Sequence, residues 1–228
     1  MATTIYLIRH GETEDAEEKR YKGHIDVPLS ANGIEQIKRL SEYIYQSTNT
    51  NPSIPPLSKG GQGGVKAVYS SGLSRALKTA EIIAEPFGLK PIVVEQLKER
   101  SFGVWEGMTF SEIEEKYPDA FKAWAENPLK FSPIEGESTL EVKERALKVF
   151  HEIIKNHGDE KIAIVSHGGI TRVILCEMLG MPLENIFRIE QNFAALNIIE
   201  IWDYPVVKMI NGGATICHSR KRSAPACR

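Results

Sequence analysis

Two short apolar runs, far apart in the chain, each end in a histidine followed by glycine. Thr4-Ile5-Tyr6-Leu7-Ile8 leads into Arg9-His10-Gly11, and Lys161-Ile162-Ala163-Ile164-Val165-Ser166 leads into His167-Gly168-Gly169. Runs so continuously apolar and β-branched suit strands buried on both faces, as in a parallel sheet covered by helices. Helical and strand patterns alternate around them. Ser30 can cap a helix over 31–45, where Ile34, Ile37, Leu40 and Ile44 recur at helical spacing. Strands are expected over 65–69 and 91–94. Helices are expected over 74–87, 110–117, 120–126, 139–156 and 170–179. A closing hairpin over 194–202 and 206–210 should turn near Tyr204-Pro205. This alternation predicts a three-layer α/β/α sandwich with a mostly parallel central sheet.

The 228 residues suit one such domain, expected over 1–212. Residues 47–64 include Pro52, Pro55, Pro56 and Gly60-Gly61-Gln62-Gly63-Gly64. They are too poor in apolar side chains to form core, and are expected to be a flexible insertion. A phosphate-cradling glycine loop would need a strand before it and Lys-Ser or Lys-Thr after it, and has neither here. The basic segment 213–228 is expected to fray. A formal net charge of -2 gives no reason to expect a nucleic-acid or membrane partner. No apolar run approaches the roughly 20 residues of a spanning helix. Cys176, Cys217 and Cys227 are too scattered for a disulfide framework or a zinc site. Met1-Ala2-Thr3-Thr4 lacks the basic start of a signal peptide, so a reducing, cytoplasmic setting is expected.

In open α/β sheets, ligands bind beyond the carboxyl ends of the strands. His10 and His167 stand at two such ends, beside Arg9 and Ser166. Arg75 starts a helix at a third, and Glu99 follows a fourth by a few residues. Those groups suit phosphoryl transfer. A neutral imidazole can attack phosphorus, arginine forks can hold the equatorial oxygens, and a carboxylic acid can protonate the leaving alkoxide. The nucleophile must then be neutral and the acid protonated, a pairing that gives a bell-shaped pH profile. Taken singly, each residue has a plainer explanation as a structural histidine or a solvated ion-pair partner. No third ligand stands at metal-binding spacing beside either histidine, so neither a metal nor a cofactor is expected.

Arg9-His10-Gly11-Glu12-Thr13 resembles the signature of the histidine phosphatase superfamily, with its phosphoglycerate-mutase-like fold. The resemblance runs through Gly23-His24-Ile25-Asp26-Val27-Pro28-Leu29-Ser30, Ser70-Ser71-Gly72-Leu73-Ser74-Arg75-Ala76 and Phe102-Gly103-Val104-Trp105-Glu106-Gly107. It continues in Glu135-Gly136-Glu137-Ser138 and Val165-Ser166-His167-Gly168-Gly169. It implies His10 as the phosphorylated nucleophile, Arg9, Arg75 and His167 as holders of the phosphoryl oxygens, and Glu99 as proton donor. Gly11, Thr13, Gly23 and Gly168 would complete the phosphate site. Many relatives carry an Asn shortly after the signature, where this chain has Asp15-Ala16-Glu17.

The resemblance leaves two activities open. Mutases of this kind need extra cations for a distal phosphate. Between Glu112 and Leu140 the only cations here are Lys116, Lys122 and Lys130, which favours a hydrolase over a phosphoglycerate mutase. Arg20-Tyr21-Lys22-Gly23 and Gln191-Asn192-Phe193-Ala194-Ala195-Leu196-Asn197 resemble the α-ribazole phosphatase and broad-specificity branch. That implies a small phosphorylated metabolite such as α-ribazole 5′-phosphate, used in cobalamin assembly, as the partner, with a homodimer left open. Phe102, Trp105, Phe110, Tyr117, Phe121 and Trp124 either cap a base-like leaving group or form the apolar faces of short helices. A catalytically silent module that binds phosphorylated ligands is the alternative from another class.

Overall fold

The computed structural model describes residues 2–17, 20–49 and 64–213. One sheet has strand order β3-β2-β4-β1-β5-β6, with β1 (Thr3–Arg9), β2 (Ala67–Ser70), β3 (Ile92–Val93), β4 (Lys161–Ser166), β5 (Leu196–Ile201) and β6 (Pro205–Gly212). The first four are mutually parallel; β5 runs antiparallel to β1, and β6 antiparallel to β5. The helices are α1 (Ala31–Asn49), α2 (Ser74–Ala84), α3 (Phe110–Lys116), α4 (Pro118–Glu126), α5 (Thr139–Lys155) and α6 (Gly168–Met178).

Side chains alternate across a strand, so β1 and β4 each feed two cores. Ile5, Leu7, Ile162 and Ile164 join Val142, Phe150, Val173 and Ile174 on the face covered by α5 and α6. Tyr6, Ile8, Ala163 and Val165 join Ile37, Leu40, Ala80 and Ile83 on the face covered by α1 and α2. The expected sandwich is therefore present, its continuous apolar strands explained by cover on both sides. In the β1–β4 register Arg9 lies opposite Ser166, which brings His10 and His167 off neighbouring strands at one level.

Boundaries differ where the apolar signal fades. Ser30 does cap α1, its Oγ accepting from the Gly33 amide at 3.0 Å. The helix runs past Tyr45 to Asn49, with the Ser47 and Thr48 hydroxyls donating back to the Ile44 carbonyl at 2.9 Å each. Residues 47–49 of the expected insertion are thus helical, while 50–63 lie outside the described residues, as does 214–228 of the expected tail. The third strand shrinks to Ile92 and Val93, half-exposed at the sheet edge. Among the described residues no helix is long and apolar enough to cross a membrane.

Candidate active site

Every expected side chain except Gly11, Gly168 and His167 lines one cleft of about 280 Å³ at the carboxyl ends of the parallel strands. His10 Nδ1 lies 2.7 Å from the Gly11 carbonyl. A carbonyl can only accept, so Nδ1 carries the hydrogen and Nε2 keeps the lone pair of a neutral ring. Burial lowers the His10 pKa well below the usual imidazole value, and the neighbouring Arg9 and Arg75 push the same way. His167 is completely buried next to it, ring centroids 5.1 Å apart, with Nε2 2.7 Å from Ser71 Oγ. Its pKa is also lowered, by burial first and then by His10, Arg75 and Arg9.

The arginines are held from behind by backbone oxygens. Arg75, at the start of α2, donates to the carbonyls of Ile25 at 2.8 Å and Gly23 at 2.6 Å. Gly23 presents that carbonyl from a left-handed conformation, φ +47°, which favours glycine. Arg9 Nη1 donates to the Gln191 carbonyl, and its guanidinium lies 4.3 Å from the centre of the Phe193 ring. Arg9 Nε has no hydrogen-bond partner among the described residues. Burial lowers the Arg9 pKa to about 10, Arg172 and Arg75 adding to the effect and Glu99 opposing it. A guanidinium so destabilised gains most when an anion arrives.

Glu99 faces these cations at the amino end of α6. Its Oε2 accepts from the Gly169 amide at 3.0 Å and its Oε1 from the Arg100 amide at 2.9 Å. A Cβ at position 169 would stand 2.4 Å from Glu99 Oε1, so only glycine lets the carboxylate sit there. Arg145 secures the loop, donating to the carbonyls of Gln96, Lys98 and Glu99 and pairing with Glu137 at 2.7 Å. This gives the Glu135-Gly136-Glu137-Ser138 segment a physical purpose: Glu137 anchors Arg145, and Ser138 caps α5.

Thr13 lines the cleft and accepts from Lys22 Nζ at 3.1 Å. Gly11 and Gly168 do not line it. The Gly11 amide goes to Thr79 Oγ1 at 3.2 Å, and Gly168 lines an adjoining cavity at the start of α6. Sequence reasoning missed Arg172, whose Nε donates to the Ile189 carbonyl at 2.7 Å beside Glu99 and Arg9. Its place one helical turn after Gly168 was the available signal. It also gave no role to Gln191 and Phe193, which brace Arg9. Of the six aromatics considered as a cap, Phe102 and Trp124 line the cavities at the site, while Trp105, Phe110 and Phe121 meet other rings. Trp105 stacks on Phe131 at 5.5 Å, and Phe110 meets Phe121 edge-on at 4.6 Å. Among the described residues no group of three or more His, Cys, Asp or Glu is arranged to hold a metal ion.

The profile of the histidine phosphatase superfamily (branch 1) matches residues 5–54 and 57–211. Phosphoserine phosphatase 1 of Hydrogenobacter thermophilus is 30% identical over 86% of this chain and 86% of its own. A metal-independent phosphoserine phosphatase of Arabidopsis thaliana is 34% identical over 75% of this chain and 67% of its own. The crystal structure of the α-ribazole phosphatase from Shigella flexneri superposes with a TM-score of 0.79 at 25% identity, covering 92% of this chain and 96% of that one.

Proposed function

The chain belongs to branch 1 of the histidine phosphatase superfamily, and from that premise we propose that it hydrolyses a small phosphomonoester through a phosphohistidine at His10. The observation that carries the reading is the hydrogen bond from His10 Nδ1 to the Gly11 carbonyl, which leaves Nε2 as the lone pair within a cationic cleft. Nε2 attacks phosphorus and forms the N–P bond as the ester P–O bond breaks. Glu99 donates its proton to the leaving oxygen. Water then attacks the phosphohistidine and gives a proton to the Glu99 carboxylate, and the P–N bond breaks to return the neutral imidazole. Arg9 and Arg75 hold the equatorial oxygens, with Lys22 and Thr13 at the cleft edge. His167 keeps the floor beneath His10 neutral, so that the cationic charge facing the phosphoryl group is arginine's. The charge on the transferring group is met by guanidinium groups, which supports a reaction without a metal ion.

Relatives are named for phosphoserine and for α-ribazole phosphate, so both esters belong in the test. Turnover of p-nitrophenyl phosphate, phosphoserine, α-ribazole 5′-phosphate and 3-phosphoglycerate should be measured in excess EDTA. Release of inorganic phosphate that survives EDTA is expected. Well-folded protein with no turnover above background would overturn the hydrolase and leave a phospho-ligand binding module. Activity abolished by EDTA would overturn the metal-free mechanism alone.

A further inference from the structure

A second cavity, of about 410 Å³, opens beside the phosphate cleft and shares Arg9, Tyr21, Glu99 and Phe102 with it. That volume lies within the roughly 300–1,000 Å³ of small-molecule sites. Its far wall is apolar: Trp124 of α4, Val142 of α5, Val173 of α6, and Ile186 and Phe187 of the turn Leu183–Arg188. Phe187 is 72% exposed at this rim. A large ring left in water beside an apolar cavity gains from an apolar body placed against it.

On the other side of the cleft, past Thr13, Ala16 and Phe193, lies a hollow of opposite character, walled by Glu12, Glu14, Asp15 and Glu17. Glu99 decides which side receives the leaving group, because it lines the apolar cavity and not the acidic hollow. In an in-line displacement the leaving oxygen departs opposite the attacking nitrogen, and the proton donor must reach that oxygen. The carbon skeleton attached to it therefore emerges beside Glu99, into the apolar cavity.

Resting on the phosphatase reading above, we propose that the substrate is a phosphomonoester whose alcohol carries an apolar body of aromatic-ring size, housed between Trp124, Val142, Val173 and Phe187. A serine-sized alcohol does not match this cavity. Its ammonium would meet Arg9, Arg100 and Arg172, and the carboxylate lining that wall among the described residues, Glu99, is committed to proton transfer. The serine's own carboxylate would find Arg100 and Arg172, but so short a body would leave Trp124, Val173 and Phe187 uncovered. An aromatic ring there would lie edge-on or offset to Trp124 and Phe187.

The test compares kcat/KM for 1-naphthyl phosphate and O-phosphoserine in the full chain, then in Trp124→Ala and Phe187→Ala. The second variant removes an exposed ring, and its folding is not in question. In the unmodified chain the naphthyl ester is expected to be favoured at least tenfold. Each variant should lower the naphthyl-to-serine ratio, Trp124→Ala by about tenfold, equivalent to about 1.4 kcal/mol, and Phe187→Ala by about threefold. Should the unmodified chain prefer phosphoserine, or should both variants leave the ratio unchanged, the apolar leaving-group site is wrong while the phosphatase stands. A chain inert toward both esters overturns the phosphatase reading on which this proposal rests.

Discussion

The strand ends and the cap region meet at Glu99 but are built on different principles. Around His10, position comes from the sheet. Arg9 and Ser166 are register partners, His10 donates its amide to the Ser166 carbonyl at 3.0 Å, and Arg75 is pinned by two backbone oxygens. Around the apolar cavity, position comes from side chains on short helices and a 3₁₀ turn, with Trp124 half-buried and Phe187 exposed. The first region hangs its reacting groups on paired backbone; the second can change its residues without disturbing the sheet. Chemistry is thereby separated from recognition, as expected where function rides on loops over a rigid scaffold.

The largest expected effect is on the strand-end side. His10→Ala should lower turnover of any ester by at least about 10³-fold, because no other neutral nitrogen occupies the nucleophile's place. Rapid acid-free quenching with labelled ester should trap an acid-labile phosphoprotein in the unmodified chain and none in the variant. Retained turnover would move the chemistry away from the strand ends altogether. Glu99→Gln should cost about 10²–10⁴-fold for alkyl phosphates, the usual range for a lost general acid. The loss for p-nitrophenyl phosphate should be much smaller, since p-nitrophenolate departs without a proton. Equal losses for both would remove Glu99 from the leaving-group side and with it the argument for the apolar cavity.

A third effect reads the strand ends through stability. His10 and His167 both have pKa values pushed well below the ordinary imidazole value in the folded chain. Below about pH 6.5 the unfolded chain binds protons that the folded chain refuses, so stability is full above that pH and falls as pH falls through it. The slope is about 1.4 kcal/mol per pH unit for each histidine, about 2.7 for the two together. Urea melts from pH 7 to pH 5 should show it, and His10→Ala should halve it. An unchanged slope in that variant would show that His10 is not held neutral by the fold.

How much of this could be seen in the sequence follows the same division. The two His-Gly strand ends were legible because continuous apolar strands leave no doubt about which residues follow them. Arg75 and Glu99 were legible as strand-end residues even though β3 proved two residues long, because the 3₁₀ turn Glu95–Leu97 still carries the chain back toward the sheet. The apolar cavity was not legible. Val142 and Val173 fall at ordinary helical core spacing, and nothing in the order of residues shows that Ile186 and Phe187 fold over against them. The aromatic segment left two readings open for a related reason: rings that stack on one another, such as Trp105 with Phe131, have the same sequence pattern as rings that wait for a ligand. Arg145 was invisible because three of its partners are backbone carbonyls, which have no sequence signature.

Arg145 also supplies the smallest and most discriminating test, because it ties the two regions together. It sits on α5 one turn after Val142, which walls the apolar cavity, yet it grips the carbonyls of Gln96, Lys98 and Glu99. A lysine keeps the charge but cannot fork to the Glu137 carboxylate and three carbonyls at once. Arg145→Lys should therefore loosen the Glu99 loop without emptying it, lowering kcat for alkyl phosphates by roughly three- to tenfold and for p-nitrophenyl phosphate by under twofold. That asymmetry is the signature of a misplaced proton donor. A general loss of packing would lower both alike and show in the urea melt. If both esters are unaffected, the cap side and the strand ends are mechanically independent, and the position of Glu99 is set by the Gly169 and Arg100 amides alone.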